Sequence, residues 1–134
     1  MGLDPPMTDG SQVTVKRPII AVVDDDPAVC NSLKFALELE GFAVCIYHGG
    51  AELLLADGLE DSNCFVVDQR MPGMTGMELI EVLRARRVLT PVILIISHPN
   101  AALTARAQKA AIPIVEKPLL GNALVERIRE ACWA

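Results

Sequence analysis

Asp68 closes the apolar run Cys64-Phe65-Val66-Val67 and is followed at once by Gln69-Arg70-Met71-Pro72-Gly73-Met74-Thr75-Gly76. An apolar run that ends in one carboxylate and then turns lifts that carboxylate onto the rim of a buried sheet, where open α/β folds bind their ligands. Other apolar runs end in the same manner. Asp24 and Asp25 follow Ile19-Ile20-Ala21-Val22-Val23, Ser97 follows Val92-Ile93-Leu94-Ile95-Ile96, and Lys117 follows Ile114-Val115-Glu116. Right-handed crossovers bring the carboxyl ends of all parallel strands to one edge of a sheet, so these groups converge in one crevice.

Three carboxylates, a hydroxyl and an ammonium in one crevice suit phosphoryl chemistry. Asp25 and Asp68 at close range repel and raise the pKa of at least one of them unless a divalent cation stands between them. Magnesium is the natural ion, because it takes oxygen ligands, keeps several waters and is held by one or two carboxylates plus phosphate oxygens. With that cation and Lys117 neutralising the incoming phosphoryl oxygens, Asp68 is a carboxylate nucleophile for phosphorus. Ser97 would donate a hydrogen bond to one oxygen of the acquired group. An ionised carboxylate needs no general base, since phosphoryl transfer depends mainly on positioning and charge neutralisation.

The elements that must position these groups are short apolar runs alternating with amphipathic stretches, the signature of repeated βα units around a parallel sheet. The run at residues 19–23 is apolar on both faces, as a central parallel strand requires. Asp26 is placed as an N-cap and Pro27 as the first helical residue, with Val29, Leu33, Ala36 and Leu37 forming a stripe and the helix ending near Gly41. A second strand is expected over Phe42–Tyr47, broken by Gly49-Gly50, and a short helix over Ala51–Ala56. The third strand is Cys64–Asp68. A helix from Gly76 shares Leu79, Ile80 and Leu83 on one face, and Pro91 restarts the chain into the fourth strand, Val92–Ile96. An Ala-rich helix over Ala101–Ala110, a strand at Ile114–Glu116 and a last helix over Asn122–Cys132, burying Leu124, Val125 and Ile128, complete five strands and five helices.

Bulk properties narrow the function. With 134 residues the chain holds one domain with a real core. Although 51% of it is hydrophobic, no aliphatic run exceeds Val92–Ile96, far short of the roughly 20 residues of a membrane span. No secretory leader is visible, so the cytoplasm is the expected compartment. The formal charge of −5 argues against a broad grip on nucleic acid or an anionic membrane. The basic cluster Arg84, Arg86 and Arg87 reads as the solvated end of a helix, where cations complement the dipole. Cys30, Cys45, Cys64 and Cys132 lack the spacing of a disulfide framework or a zinc site and are expected to pack as small apolar side chains. Residues 1–16, with Asp4-Pro5-Pro6 and Thr8-Asp9-Gly10-Ser11, read as a flexible tail ahead of a domain over 17–134, and Met7 is an alternative start.

From Pro18 to Ala131 the chain resembles the receiver domain of bacterial two-component response regulators. The resemblance rests on Val22-Val23-Asp24-Asp25-Asp26, the segment from Asp68 to Gly76, and Glu116-Lys117-Pro118, in the family's order and near its spacing. It implies a flavodoxin-like (βα)5 doubly wound parallel sheet of strand order 2-1-3-4-5. It implies Asp68 as the phosphoacceptor, Asp24 and Asp25 as the acidic pair, the backbone carbonyl of Arg70 as a further magnesium ligand, Lys117 before a cis Pro118 as the contact to the phosphoryl group, and Ser97 as the Ser/Thr switch residue. The implied activity is Mg2+-dependent self-phosphorylation and slow autodephosphorylation, a signalling role rather than an enzyme's. The implied partners are a histidine kinase or phosphotransfer protein, an output partner or a C-terminal effector domain beyond Cys132-Trp133-Ala134, and a second copy through the helix 4–strand 5–helix 5 face. No direct nucleic-acid contact is expected.

The chain departs from the family on one side. Ile114 stands where the family has Tyr or Phe, and no ring is there to move with the Ser/Thr. Ser97 to Lys117 spans 20 positions, a slightly short segment, and Ser97-His98-Pro99-Asn100 and Lys109-Ala110-Ala111-Ile112-Pro113 lack the glycines usual in these turns. His98, beside proline in a loop, reads as structural rather than as a phosphoryl carrier. The fourth helix and its flanking loops are therefore expected to be reshaped, with phosphorylation chemistry kept and the output altered. The alternative function is a phosphorylation-independent interaction module. A nucleotide or flavin binder on the same fold would need a phosphate-cradling loop after the first strand, where this chain has three acids.

Overall fold

Strands apolar on both faces force helices onto both sides of the sheet, as at the three central ones, residues 19–23, 64–68 and 92–96. The computed structural model describes residues 17–98, 100–119 and 121–133; the expected tail over 1–16 lies outside them. The elements are β1 (Ile19–Val23), α1 (Pro27–Leu39), β2 (Ala43–Tyr47), α2 (Gly50–Leu54), a 3-10 turn (Leu59–Asp61), β3 (Cys64–Asp68), α3 (Gly76–Ala85), β4 (Val92–Ile96), α4 (Ala101–Lys109), β5 (Ile114–Glu116) and α5 (Ala123–Trp133). All pairings are parallel and the strand order is β2-β1-β3-β4-β5. Among the described residues no helix is long and apolar enough to cross a membrane.

The pleat sorts the core into two layers. Ile20, Val22, Cys64, Val66, Ile93, Ile95 and Val115 meet Cys30, Leu33 and Leu37 of α1 and Leu124 and Ile128 of α5. Their neighbours Ala21, Val23, Phe65, Val67, Val92, Leu94 and Ile96 meet Leu53 of α2, Met77, Leu79, Ile80 and Leu83 of α3 and Ala107 of α4. Every residue of β3 and β4 is buried, so these central strands are clamped from both faces. The register is nearly flush: Val23 pairs with Tyr47 and Val67, Asp68 with Ile95, and Ile96 with Glu116. Residues just past the strand ends therefore share one edge.

Several local expectations need correction. Phe42 is not in β2; it is 1% exposed, and its N–H donates to Leu37 O to close the end of α1. The strand ends at Tyr47, ahead of Gly49-Gly50 as expected, but α2 already starts at Gly50 and stops at Leu54 rather than spanning Ala51–Ala56. The last helix begins and ends one residue later than expected. Ala36 is exposed and Val125 half-buried, while Cys30 takes the inner position on α1. Cys45 is exposed because β2 is an edge strand with a neighbour on one side only. Arg84 is not simply solvated: its Nη1 donates to Val88 O and Thr90 O, closing the chain after α3.

Two turns adopt left-handed backbone without glycine. Arg87 (φ 63°) and Ala111 (φ 58°) follow α3 and α4, and in each case the next N–H reaches back to the helix, Val88 to Leu83 O and Ile112 to Ala107 O. This is the helix-ending geometry in which glycine is preferred because a Cβ there crowds the backbone. The glycine missing before β5 has therefore not removed the turn; an alanine carries it.

Ala111→Gly should raise stability by up to about 1 kcal/mol, read as a higher urea midpoint at unchanged slope. Gly76→Ala should do the opposite. A Cβ at Gly76 would lie 2.7 Å from Asp68 O and 2.8 Å from Leu94 Cδ1, so a loss of about 1–3 kcal/mol is expected in the same titration.

Candidate functional site

The acidic end of β1 is organised by its own backbone. Asp26 caps α1 by accepting from Ala28 N at 2.9 Å, Pro27 occupies the first turn, and Asp24 Oδ1 accepts from Asp26 N at 2.9 Å. The buried Cys30 thiol donates to Asp24 O at 3.2 Å, and burial pushes that thiol up to about 11, so it stays protonated at neutral pH. These contacts turn Asp24 inward, where it is 3% exposed, and leave Asp25 exposed at the mouth.

Across the sheet, β3 delivers Asp68, 4% exposed. The chain then turns through residues 69–75 into α3, whose start is closed by a capping box: Thr75 Oγ1 accepts from Glu78 N, and the Glu78 carboxylate accepts from Thr75 N. Thr75-x-x-Glu78 ahead of an apolar run is the local pattern that forms such a box. Lys117 N donates to Ile96 O as β5 ends, and the Lys117–Pro118 peptide bond is cis.

Asp24, Asp25, Asp26, Asp68, Arg70, Met71, Pro72, Ser97 and Lys117 line one cleft of about 530 Å³. All the residues expected to carry chemistry are thus brought together. Ser97 lies at its edge and is exposed, whereas His98 is exposed and does not line the cleft. One carboxylate oxygen from each of Asp24, Asp25 and Asp68 lies within 4.8 Å of the others. Lys117 Nζ stands 3.2 Å from Asp68 Oδ1 and 3.9 Å from Asp24 Oδ2. One ammonium against three carboxylates leaves the cluster negative.

Burial holds the Asp68 carboxyl above the usual carboxylate range, Asp24 adds to the rise, and Lys117 opposes it. Asp24 is raised chiefly by burial as well, against the hydrogen bond from Asp26 N and the attraction of Lys117. Asp68 Oδ1 is buried and, despite its ion pair, has no well-directed hydrogen-bond donor among the described residues. An orphaned buried carboxylate oxygen beside two further carboxylates is what a small hard cation would complete. The donor set fits magnesium.

Sequence reasoning missed one participant, Gln69. Its N–H donates to Ile95 O, its carbonyl accepts from Gly76 N at 3.1 Å, and its side-chain Oε1 accepts from Met77 N at 2.8 Å. A polar residue directly after the carboxylate was visible, but nothing in the pattern showed that its amide would reach eight residues ahead.

A carboxyl whose folded pKa is raised adds stability below its unfolded pKa and loses it as pH rises through the folded value. Asp68→Asn should therefore raise the thermal midpoint by a few degrees at neutral pH without divalent cations, and the gain should vanish below the ordinary carboxylate range. A pH series of thermal melts on both proteins checks this.

The model of the response regulator receiver domain family matches residues 20–129. The chain is 39% identical over 111 residues to the transcriptional regulatory protein FixJ of Azorhizobium caulinodans, covering 82% of this chain and 53% of that protein. It is 36% identical over 110 residues to the C4-dicarboxylate transport transcriptional regulatory protein DctR of Rhodobacter capsulatus, covering 80% and 56%. The chain thus spans about half the length of the curated relatives it matches. Among solved structures, FixJ-N superposes with a TM-score of 0.78 at 31% identity over 88% of this chain and 95% of that one. The receiver domain of Francisella response regulator 1452 superposes at 0.79 over 87% and 97%; at 24% identity it speaks for the fold alone.

Proposed function

Because the chain belongs to the receiver-domain family of two-component response regulators, we propose that its cleft performs that family's phosphoacceptor chemistry, with Asp68 as the residue that takes the phosphoryl group. The observation that carries the proposal is the buried Asp68, its Oδ1 lacking a well-directed donor, 3.2 Å from Lys117 and beside Asp24 and Asp25.

Asp24, Asp25, Asp68 and the Arg70 carbonyl would hold magnesium, which when bound neutralises charge on the phosphoryl oxygens. Asp68 attacks phosphorus, the bond to the donor breaks, and an acyl phosphate forms. With a phosphohistidine donor the breaking bond is P–N and the imidazole leaves with a proton from solvent. Lys117, already within ion-pair distance, follows the charge onto the new phosphoryl oxygens, and Ser97 at the cleft edge donates a hydrogen bond to one of them. Asp68 is largely shielded from water, and Met71 and Pro72 line the same cleft.

The donor is a histidine kinase or phosphotransfer protein in a cytoplasmic pathway. The output is read by a partner or by a further domain of a longer chain, with a second copy docking through α4, β5 and α5 as one route. Those features belong to the whole regulator and follow from kinship rather than from the cleft. A second reading, a phosphorylation-independent interaction module, is favoured by Ile114. It is half-buried, packs against the core and carries no ring to couple phosphorylation to the surface.

Incubation with Mg2+ and acetyl phosphate, followed by intact-mass measurement, should show one labile phosphoryl group that is absent in Asp68→Asn and in chelator. No gain, together with no magnesium binding by calorimetry, would favour the interaction module.

A further inference from the structure

Asp68 is useful only if it and the turn after it hold still. That turn contributes Arg70, Met71 and Pro72 to the cleft wall, yet between Gln69 and Gly76 only one backbone hydrogen bond is internal to it, Met74 N to Pro72 O at 2.9 Å. Gln69 supplies the anchorage. Its N–H is tied to β4 through Ile95 O, and its two oxygens take the N–H groups of Gly76 and Met77.

These are the first two helical residues of α3, and the third, Glu78, is satisfied by Thr75. The first N–H groups of a helix have no partner within it. Here the residue beside the phosphoacceptor satisfies two of them, so β3, β4 and α3 are joined at one residue, its backbone holding Ile95 O and Gly76 N and its side chain holding Met77 N. Gly76 allows the approach, since any Cβ there would meet Asp68 O at 2.7 Å and Gln69 Cα at 3.0 Å.

We propose that Gln69 is a positioning residue for the phosphoacceptor site: its side-chain carbonyl, by capping Met77 N, fixes the aim of Asp68 and of the 70–72 wall. The inference rests on the phosphoacceptor function proposed above. Three variants of the full chain separate reach from polarity. Gln69→Leu removes the acceptor, and Gln69→Asn keeps an amide one methylene too short. Gln69→Glu keeps an acceptor at the same reach, its charge facing the positive end of α3.

Magnesium affinity by calorimetry and initial rate with acetyl phosphate are measured well below each variant's thermal midpoint, so a loss of stability alone moves neither. The Leu and Asn variants should lose about 10-fold or more in both, the range seen when a residue orienting a metal ligand is removed, and Glu should restore them. Should Gln69→Leu fail to fold, the Asn and Glu pair decides. Wild-type affinity and rate in the Leu or Asn variant, or equal loss in all three, overturns the inference and leaves the phosphoacceptor function standing. Wild-type protein that takes neither magnesium nor phosphoryl overturns both.

Discussion

Two buried carboxylates, Asp24 and Asp68, held at the end of a sheet with one ammonium between them, set the terms for the rest of this structure. Buried charge is tolerated only when paired or hydrogen-bonded, and here the pairing is incomplete: Lys117 reaches both carboxylates and leaves Asp68 Oδ1 without a directed donor. The folded state therefore carries an electrostatic cost at the point where a cation would relieve it. Such a strained acidic cluster persists because the surrounding sheet is over-determined, with β3 and β4 buried along their whole length.

The loops that carry the charges are held from their own ends. Asp26 caps α1 while its N–H restrains Asp24, and Cys30 holds the Asp24 carbonyl from the core side. After Asp68, the capping box of Thr75 and Glu78 and the two oxygens of Gln69 close the start of α3. Helix beginnings have unsatisfied N–H groups in any protein. At α1 and α3 some of the residues that satisfy them, Asp26 and Gln69, adjoin the acidic groups, so there helix capping and site geometry share contacts.

The opposite side, from β4 to β5, is built with less. Arg106 of α4 pairs with Glu81 of α3 at 2.8 Å, but both side chains are about half exposed, where ion pairs contribute little. Only Ala107 of α4 is fully buried, and its end turns on an alanine in the left-handed region. A lightly anchored helix beside a firmly held acidic cleft is a physical basis for confining rearrangement to the α4 side. With Ile114 in place of a ring, any such movement would be transmitted by packing, not by an aromatic side chain changing rotamer.

Strand and helix positions, a parallel sheet of repeated βα units and the convergence of Asp24, Asp25, Asp68, Ser97 and Lys117 were legible in the chain itself, whereas the doubly wound strand order came with the resemblance to the receiver family. They depend on local period and on the rule that parallel crossovers bring strand ends to one edge. Element ends were less legible: whether Phe42 begins a strand or closes a helix depends on its contact with Leu37 O, which no local pattern encodes. Tertiary structure alone decided which carboxylates are buried, that Cys45 is exposed at an edge, that Arg84 serves carbonyls past its helix, and that Gln69 reaches Met77. Those facts are distances between segments set by packing, and packing is a property of the assembled layers rather than of any stretch of chain.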